Sequence, residues 1–123
     1  FLQEISTFCQ QHAADEALRP FIAPLAVATK NWGDLTLKLA ARAQANPEEL
    51  GAAATDYLYY SGYVALAYMW ARSVAAAGAG AQSAAFKQAK HDTAKFYFAR
   101  ILPRCLTHQA AIEAGVDTLP AIV

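Results

Sequence analysis

The chain has 123 residues, ten basic against ten acidic, with 56% hydrophobic and 16% charged residues. That length sustains a core without staples, and the balanced charge removes any global field that would recruit nucleic acid or an anionic membrane. Much of the apolar excess is alanine, the best helix former, and the two cysteines make no disulfide framework, which places the chain in a reducing, cytoplasmic setting.

The chain opens at Phe1 inside a helical pattern, without the basic and then apolar run of a signal peptide. We therefore expect residues 1–123 to be a single helical domain, a C-terminal fragment of a longer enzyme. Leu2, Ile5, Cys9 and His12 recur at steps of three and four and define one face of a first helix. The run Asp15 to Pro20 ends it, because proline disfavours helix for the residue before it. A second helix is expected from Phe21 to Ala45. Its seam runs through Leu18, Ile22, Leu25, Thr29, Trp32, Thr36, Leu39 and Ala43, opposite a solvent-facing ladder of Lys30, Asp34 and Lys38.

Asn46-Pro47-Glu48-Glu49 marks the third start, with a cap, a proline in the first turn and an acid at the third position. This helix should reach Ala77, where Gly78 and Gly80 stop it. The fourth spans Gln82 to Ala114, with Gly115 as the residue past its end. Pro103 lies inside it and should kink it. Strand-like alternation is lacking, so the expected fold is all-α, an antiparallel up-down four-helix bundle with a proline-kinked last helix.

The third helix contains DYLYYSGYVALAYMWAR, Asp56 to Arg72, in which fifteen consecutive residues carry no charge. A bilayer span needs about 20. Leu50, Tyr57, Val64 and Ala71 mark one face, and Tyr60, Tyr63, Leu66 and Trp70 another, so burial on several sides is expected. Ser61-Gly62 would admit a close neighbouring helix. Buried tyrosine hydroxyls need partners, which points to a bundle edge or a contact with a further domain.

Two Cys-x-x-His pairs, Cys9 with His12 and Cys105 with His108, would suit tetrahedral zinc if the first and last helices met. The simpler reading is two core cysteines and two histidines at the core edge, and no metal is expected. Lys87, Lys90, Lys95, Arg100 and Arg104 make the last helix basic, with Phe96, Tyr97 and Phe98 among them. Consecutive aromatics cannot form one stacking surface, so nucleic acid is not the favoured partner. The sequence lacks a phosphate loop, a nucleophile elbow and the Glu-x-x-His pairs of di-iron bundles. Glu4, Glu16, Glu48, Glu49 and Glu113 sit mostly near helix ends. No catalytic, cofactor-binding or metal residue is assigned.

Three stretches, DYLYYSGYVALAYMWAR, AKFYFARILPR (Ala94 to Arg104) and AAIEAGVDTL (Ala110 to Leu119), resemble the C-terminal helical domain of large four-domain FAD-dependent acyl-CoA dehydrogenases. NWGDLT (Asn31 to Thr36) and the NPEE helix start fit the same pattern. The resemblance implies a parent enzyme that dehydrogenates acyl-CoA thioesters with FAD, a glutamate base taking the α-proton. It also implies a non-catalytic role here, in packing on the catalytic domains of the same chain or in assembling a homo-oligomer. None of the family's flavin or substrate residues matches a position in this chain. The alternative is a free-standing helical interaction module, with nucleic acid as one candidate partner of its basic last helix.

Overall fold

The computed structural model describes residues 1–121, and among these every regular element is helical. Helix α1 spans Leu2–Gln11, α2 Arg19–Ala45 and α3 Glu48–Ala79. The fourth stretch is divided. Helix α4 covers Ala84–Phe96, a π turn Tyr97–Ile101 and a 3-10 turn Leu102–Arg104 follow, and α5 covers Cys105–Ala114. Pro103 supplies the reason: without an N–H it cannot accept the place of an α-helical donor, and its ring crowds the preceding turn. The turn upstream widens so that Leu102 N–H bonds to the carbonyl of Tyr97.

The boundaries follow local chemistry. Pro20 lies in the first turn of α2, where a missing N–H costs nothing. Asn46 Oδ1 accepts from the Glu48 amide at 3.1 Å, opening α3. Of the two expected stops, Gly78 stays helical and Gly80 ends α3 in an extended conformation, so the helix runs to Ala79, two residues beyond Ala77. Ser83, which the sequence reading passed over, caps α4 by accepting from the Phe86 amide at 3.2 Å. Gly115 takes φ +83° after α5, a conformation that a side chain would strain.

Helix α3 lies at the centre of the packing, against α2, α4 and α5, while α1 rests on α2. Its inner face pairs small residues with tethers. Ala53, Ala67, Ala71 and Ala77 are buried and let neighbouring backbones come close, and Val64 fills the space between. Tyr60 is fully buried and donates to Ala28 O of α2 at 2.9 Å. Tyr68 donates to Glu4 Oε1 of α1 at 2.8 Å. Thr36 donates to Trp32 O, which leaves Tyr57 as the donor in its 2.7 Å bond to the Thr36 hydroxyl. From the π turn, Tyr97 donates back to Tyr63 O at 2.6 Å.

The buried seam of α2 is turned from the expected one. Leu18, Leu25, Thr29 and Leu39 are buried, but so are Phe21, Ala28 and Leu35, while Ile22, Trp32, Thr36 and Ala43 are half-buried. Contact with α1 on one side and α3 on the other widens the face beyond a single stripe. In α1 the core residues are Ile5, Phe8 and Cys9, with Leu2 and His12 half-buried at the edge. The two-faced burial expected of α3 also needs correction: Leu50 and Leu66 are exposed, because α3 is covered on one side only.

The buried acids set an alkaline limit to stability. Burial raises the pKa of Cys9 and Cys105 above the ordinary 9.0. Burial, and after it the nearby Cys105, raise Tyr60 above 10.0, and burial followed by Tyr63 raises Tyr97. An acid with a raised folded-state pKa holds its proton better folded than unfolded. Its contribution is complete below the unfolded pKa and is lost as pH climbs through that value towards the folded one. The melting temperature is therefore expected to hold near neutral pH and to fall as pH rises above 9.0 and then 10.0. Tyr60→Phe should make the alkaline decline shallower while costing about 1 kcal/mol at neutral pH. A melting temperature flat to about pH 11 would contradict this.

Candidate functional site

The residues with chemical potential divide between two ends of α3 and its outer face. Near the N-terminal half, His108 of α5 places Nδ1 2.8 Å from Asp56 Oδ1. Its ring stacks on Tyr59, with centroids 5.1 Å apart and planes 13° from parallel, and on Tyr63 at 5.7 Å. The carboxylate and the two phenol rings fix the imidazole, and through it α5, against α3. No sequence motif joins Asp56 to His108, and the one available clue is the DYLYYSGY run that supplies both rings.

One turn further along α5 a clasp closes its C-terminal end. Arg42 Nη1 donates to Ile112 O at 3.2 Å and Nη2 to Glu113 O at 3.1 Å, so a guanidinium from α2 satisfies carbonyls left free at the helix end. Glu49 Oε2 accepts from the Val116 amide at 3.1 Å. Glu49 thus serves the chain after α5 as well as the first turn of α3, and Gly115 turns tightly between them. Lys38 lies 3.8 Å from Glu113 on the same side.

The two Cys-x-x-His pairs do not meet. Cys9 is buried between α1 and α2, and His12 packs on the Phe8 ring at 4.5 Å, 3.7 Å from Asp15. Cys105 is buried beside the Tyr60 hydroxyl, and His108 is held by Asp56. Among the described residues no group of three or more His, Cys, Asp or Glu is placed to hold a metal ion. The reason is topological: α1 packs on α2, whereas α5 packs on α3.

The interleaved aromatics of the basic stretch also separate. Tyr97 and Phe98 are buried, Phe98 against Phe21 at 5.0 Å, and Phe96 is exposed. Lys90 lies over the Trp70 and Phe86 rings, 5.9 and 5.4 Å from their centroids. Beside the π turn a shallow apolar cleft of about 180 Å³ is bounded by Pro24, Val27, Phe98, Leu102, Pro103 and Leu106.

The outer face of α3 carries a row of exposed apolar side chains. Leu58 is 70% exposed, Tyr59 53%, Leu66 52% and Met69 43%, in a row along one side of the uncharged stretch. At Gly62, in the middle of that row, an added Cβ would meet nothing within 4 Å. The close neighbour that Ser61-Gly62 was expected to admit is therefore not supplied by this chain. Ser61 turns its hydroxyl back to Tyr57 O at 2.7 Å. No helix among the described residues is long and apolar enough to cross a membrane. What remains is a face suited to another protein surface.

Comparison with known families is decisive at this point: the family described as acetyl-CoA dehydrogenase C-terminal like matches residues 1–122. The chain belongs to this family. An acyl-CoA dehydrogenase C-terminal-like domain thus accounts for the resemblance carried by the aromatic third helix and the proline-containing fourth. No curated protein matches the chain.

In this acyl-CoA dehydrogenase C-terminal-like domain the clasp at the end of α5 has a direct test. Arg42→Ala should lower stability by about 1–2 kcal/mol, because the carbonyls of Ile112 and Glu113 lose their donors together. Amide exchange near Gly115 and Val116 should quicken in the same variant. Urea denaturation and hydrogen exchange check both, and unchanged exchange there would show that the clasp does not hold the chain end.

Proposed function

We propose that this chain is the non-catalytic C-terminal helical domain of an acyl-CoA dehydrogenase-like flavoenzyme, serving domain packing or subunit assembly. The parent reaction is α,β-dehydrogenation of an acyl-CoA thioester, with FAD as the parent's cofactor and the cytoplasm as its setting. The partners in this reading are the catalytic domains of the same chain and further copies in a homo-oligomer. The observation that carries it is the exposed row Leu58, Tyr59, Leu66 and Met69 on the central helix of a chain in this family. Large apolar side chains in a contiguous row favour burial against protein.

The residues of this chain do not suit a flavin. The apolar cleft beside Pro103 is lined almost wholly by hydrocarbon and offers no set of donors for a pyrophosphate. The wider hollow near the chain end presents Glu48 and Asp117, which would repel one. No step of the parent reaction is therefore assigned to a residue here. What the chain contributes is shape: an antiparallel up-down order of its helical stretches, and a change of axis near Pro103 that lets α5 lie along α3. Short connections between α2 and α3 and between α3 and α4 support that order.

Deleting residues 1–123 from the longer protein tests the reading. Flavin content and turnover per flavin should be retained, while the melting temperature falls or the oligomer dissociates. A folded, flavin-loaded deletion protein without dehydrogenase activity would place a residue of this domain in the chemistry and overturn the proposal.

A further inference from the structure

The outer face of α3 has an order of its own. Thr55, Leu58, Gly62, Ala65, Met69 and Arg72 follow one another at alternating steps of three and four, the spacing of a helix–helix seam. All of them are exposed except Ala65, which is half-buried. The seam points away from α2, α4 and α5, and of its six residues Arg72 alone is drawn to a partner side chain in the same chain, lying 3.9 Å from Glu4 and over the Tyr68 ring.

This seam complements itself when reversed. In an antiparallel pair centred between Gly62 and Ala65, Leu58 of one helix meets Met69 of the other. Gly62 meets Ala65, and Thr55 meets Arg72. The two central layers are then both small, so the helix axes can approach to about 8 Å. The layers on either side are large and flexible enough to fill the remaining space, leucine against methionine. Tyr59 and Leu66, one heptad apart on the same flank, come together across the pair. Like charges do not meet across the pair: Asp56 is held by His108 off the seam, and Arg72, at the end of the seam, is turned to Glu4 and the Tyr68 ring of its own chain.

A parallel pair would do worse at two layers. It would set Gly62 against Gly62, leaving a void, and Arg72 against Arg72, at a Coulomb cost. We propose that α3 pairs antiparallel with α3 of a second copy of this chain, across a twofold axis between Gly62 and Ala65. The inference rests on the assembly reading above only in taking this face to be an interface, and it names the partner.

Sedimentation velocity of the 123-residue chain, from low to high micromolar, is expected to show a monomer–dimer equilibrium. Gly62→Leu should raise the dissociation constant about a hundredfold, because it fills the close-approach layer. Its fold should survive, since the space beyond Gly62 is open, and circular dichroism checks that. A mixture of L58C and M69C chains should form a disulfide-linked dimer on oxidation, and neither variant alone should do so efficiently. The native Cys9 and Cys105 are buried and do not compete. A chain that stays monomeric, or a crosslink forming readily in L58C alone, would overturn the proposal. The two readings then separate by adding the catalytic portion of the longer protein in trans. Binding that Gly62→Leu abolishes would overturn the second-copy partner and keep the assembly role, and absence of binding to a monomeric chain would overturn both.

Discussion

One buried hydroxyl positions the helix on which the rest of the structure depends. Tyr60 lies at the centre of α3 with no exposed surface, and its phenol donates to Ala28 O of α2. A buried phenol without a partner costs about 1–3 kcal/mol, so the bond fixes both the rotation of α3 and its height along α2. Once that rotation is set, Ala67, Ala71 and Val64 must face inward, and Leu58, Leu66 and Met69 must face out. The same rotation brings Tyr59 and Tyr63 round to receive His108, and Tyr63 O to receive Tyr97. Tyr57 and Tyr60 fasten α3 to α2 and Tyr68 fastens it to α1, while the backbone carbonyl of Tyr63 takes the bond from the π turn.

The thiols are buried and held protonated, His12 and His108 are engaged by Asp15 and Asp56, and His91 packs on the Phe21 ring. Polar groups that reach between helices are committed to closing helix ends or orienting rings, as Arg42, Glu49 and His108 do. On the proposed reading, a scaffold with its polar groups used this way and a row of large apolar side chains left exposed on α3 joins the catalytic portion or a further copy through that row.

Much of this was readable from residue order, for identifiable reasons. Asn46-Pro47-Glu48-Glu49, Gly80 and Gly115 act through local backbone chemistry, so their roles survive folding unchanged. The helical character of every segment follows from alanine content and period. Contacts between residues far apart in sequence were not readable. Nothing in the sequence links Arg42 to Ile112 and Glu113, or Asp56 to His108, and the two Cys-x-x-His pairs looked like potential partners although their helices pack elsewhere. The seam of α2 was misjudged by one residue because a stripe assumes one neighbour, whereas α2 has two. For α3 the period placed Tyr60, Val64 and Ala71 inside but not Leu50 and Leu66, because it is apolar nearly all round and a sequence cannot say which apolar face its own chain will cover.

Met69 is the only methionine of the chain and lies on the open face, so its oxidation reports directly on whether that face is covered. Peroxide treatment of the full-length protein and of the dilute 123-residue chain, followed by mass spectrometry, compares the two states. The account predicts fast conversion of Met69 to the sulfoxide in the dilute chain and at least about tenfold slower conversion in the assembled protein. Equal rates would mean that the outer face of α3 stays open to solvent in the working protein, and would contradict the claim that it is an interface.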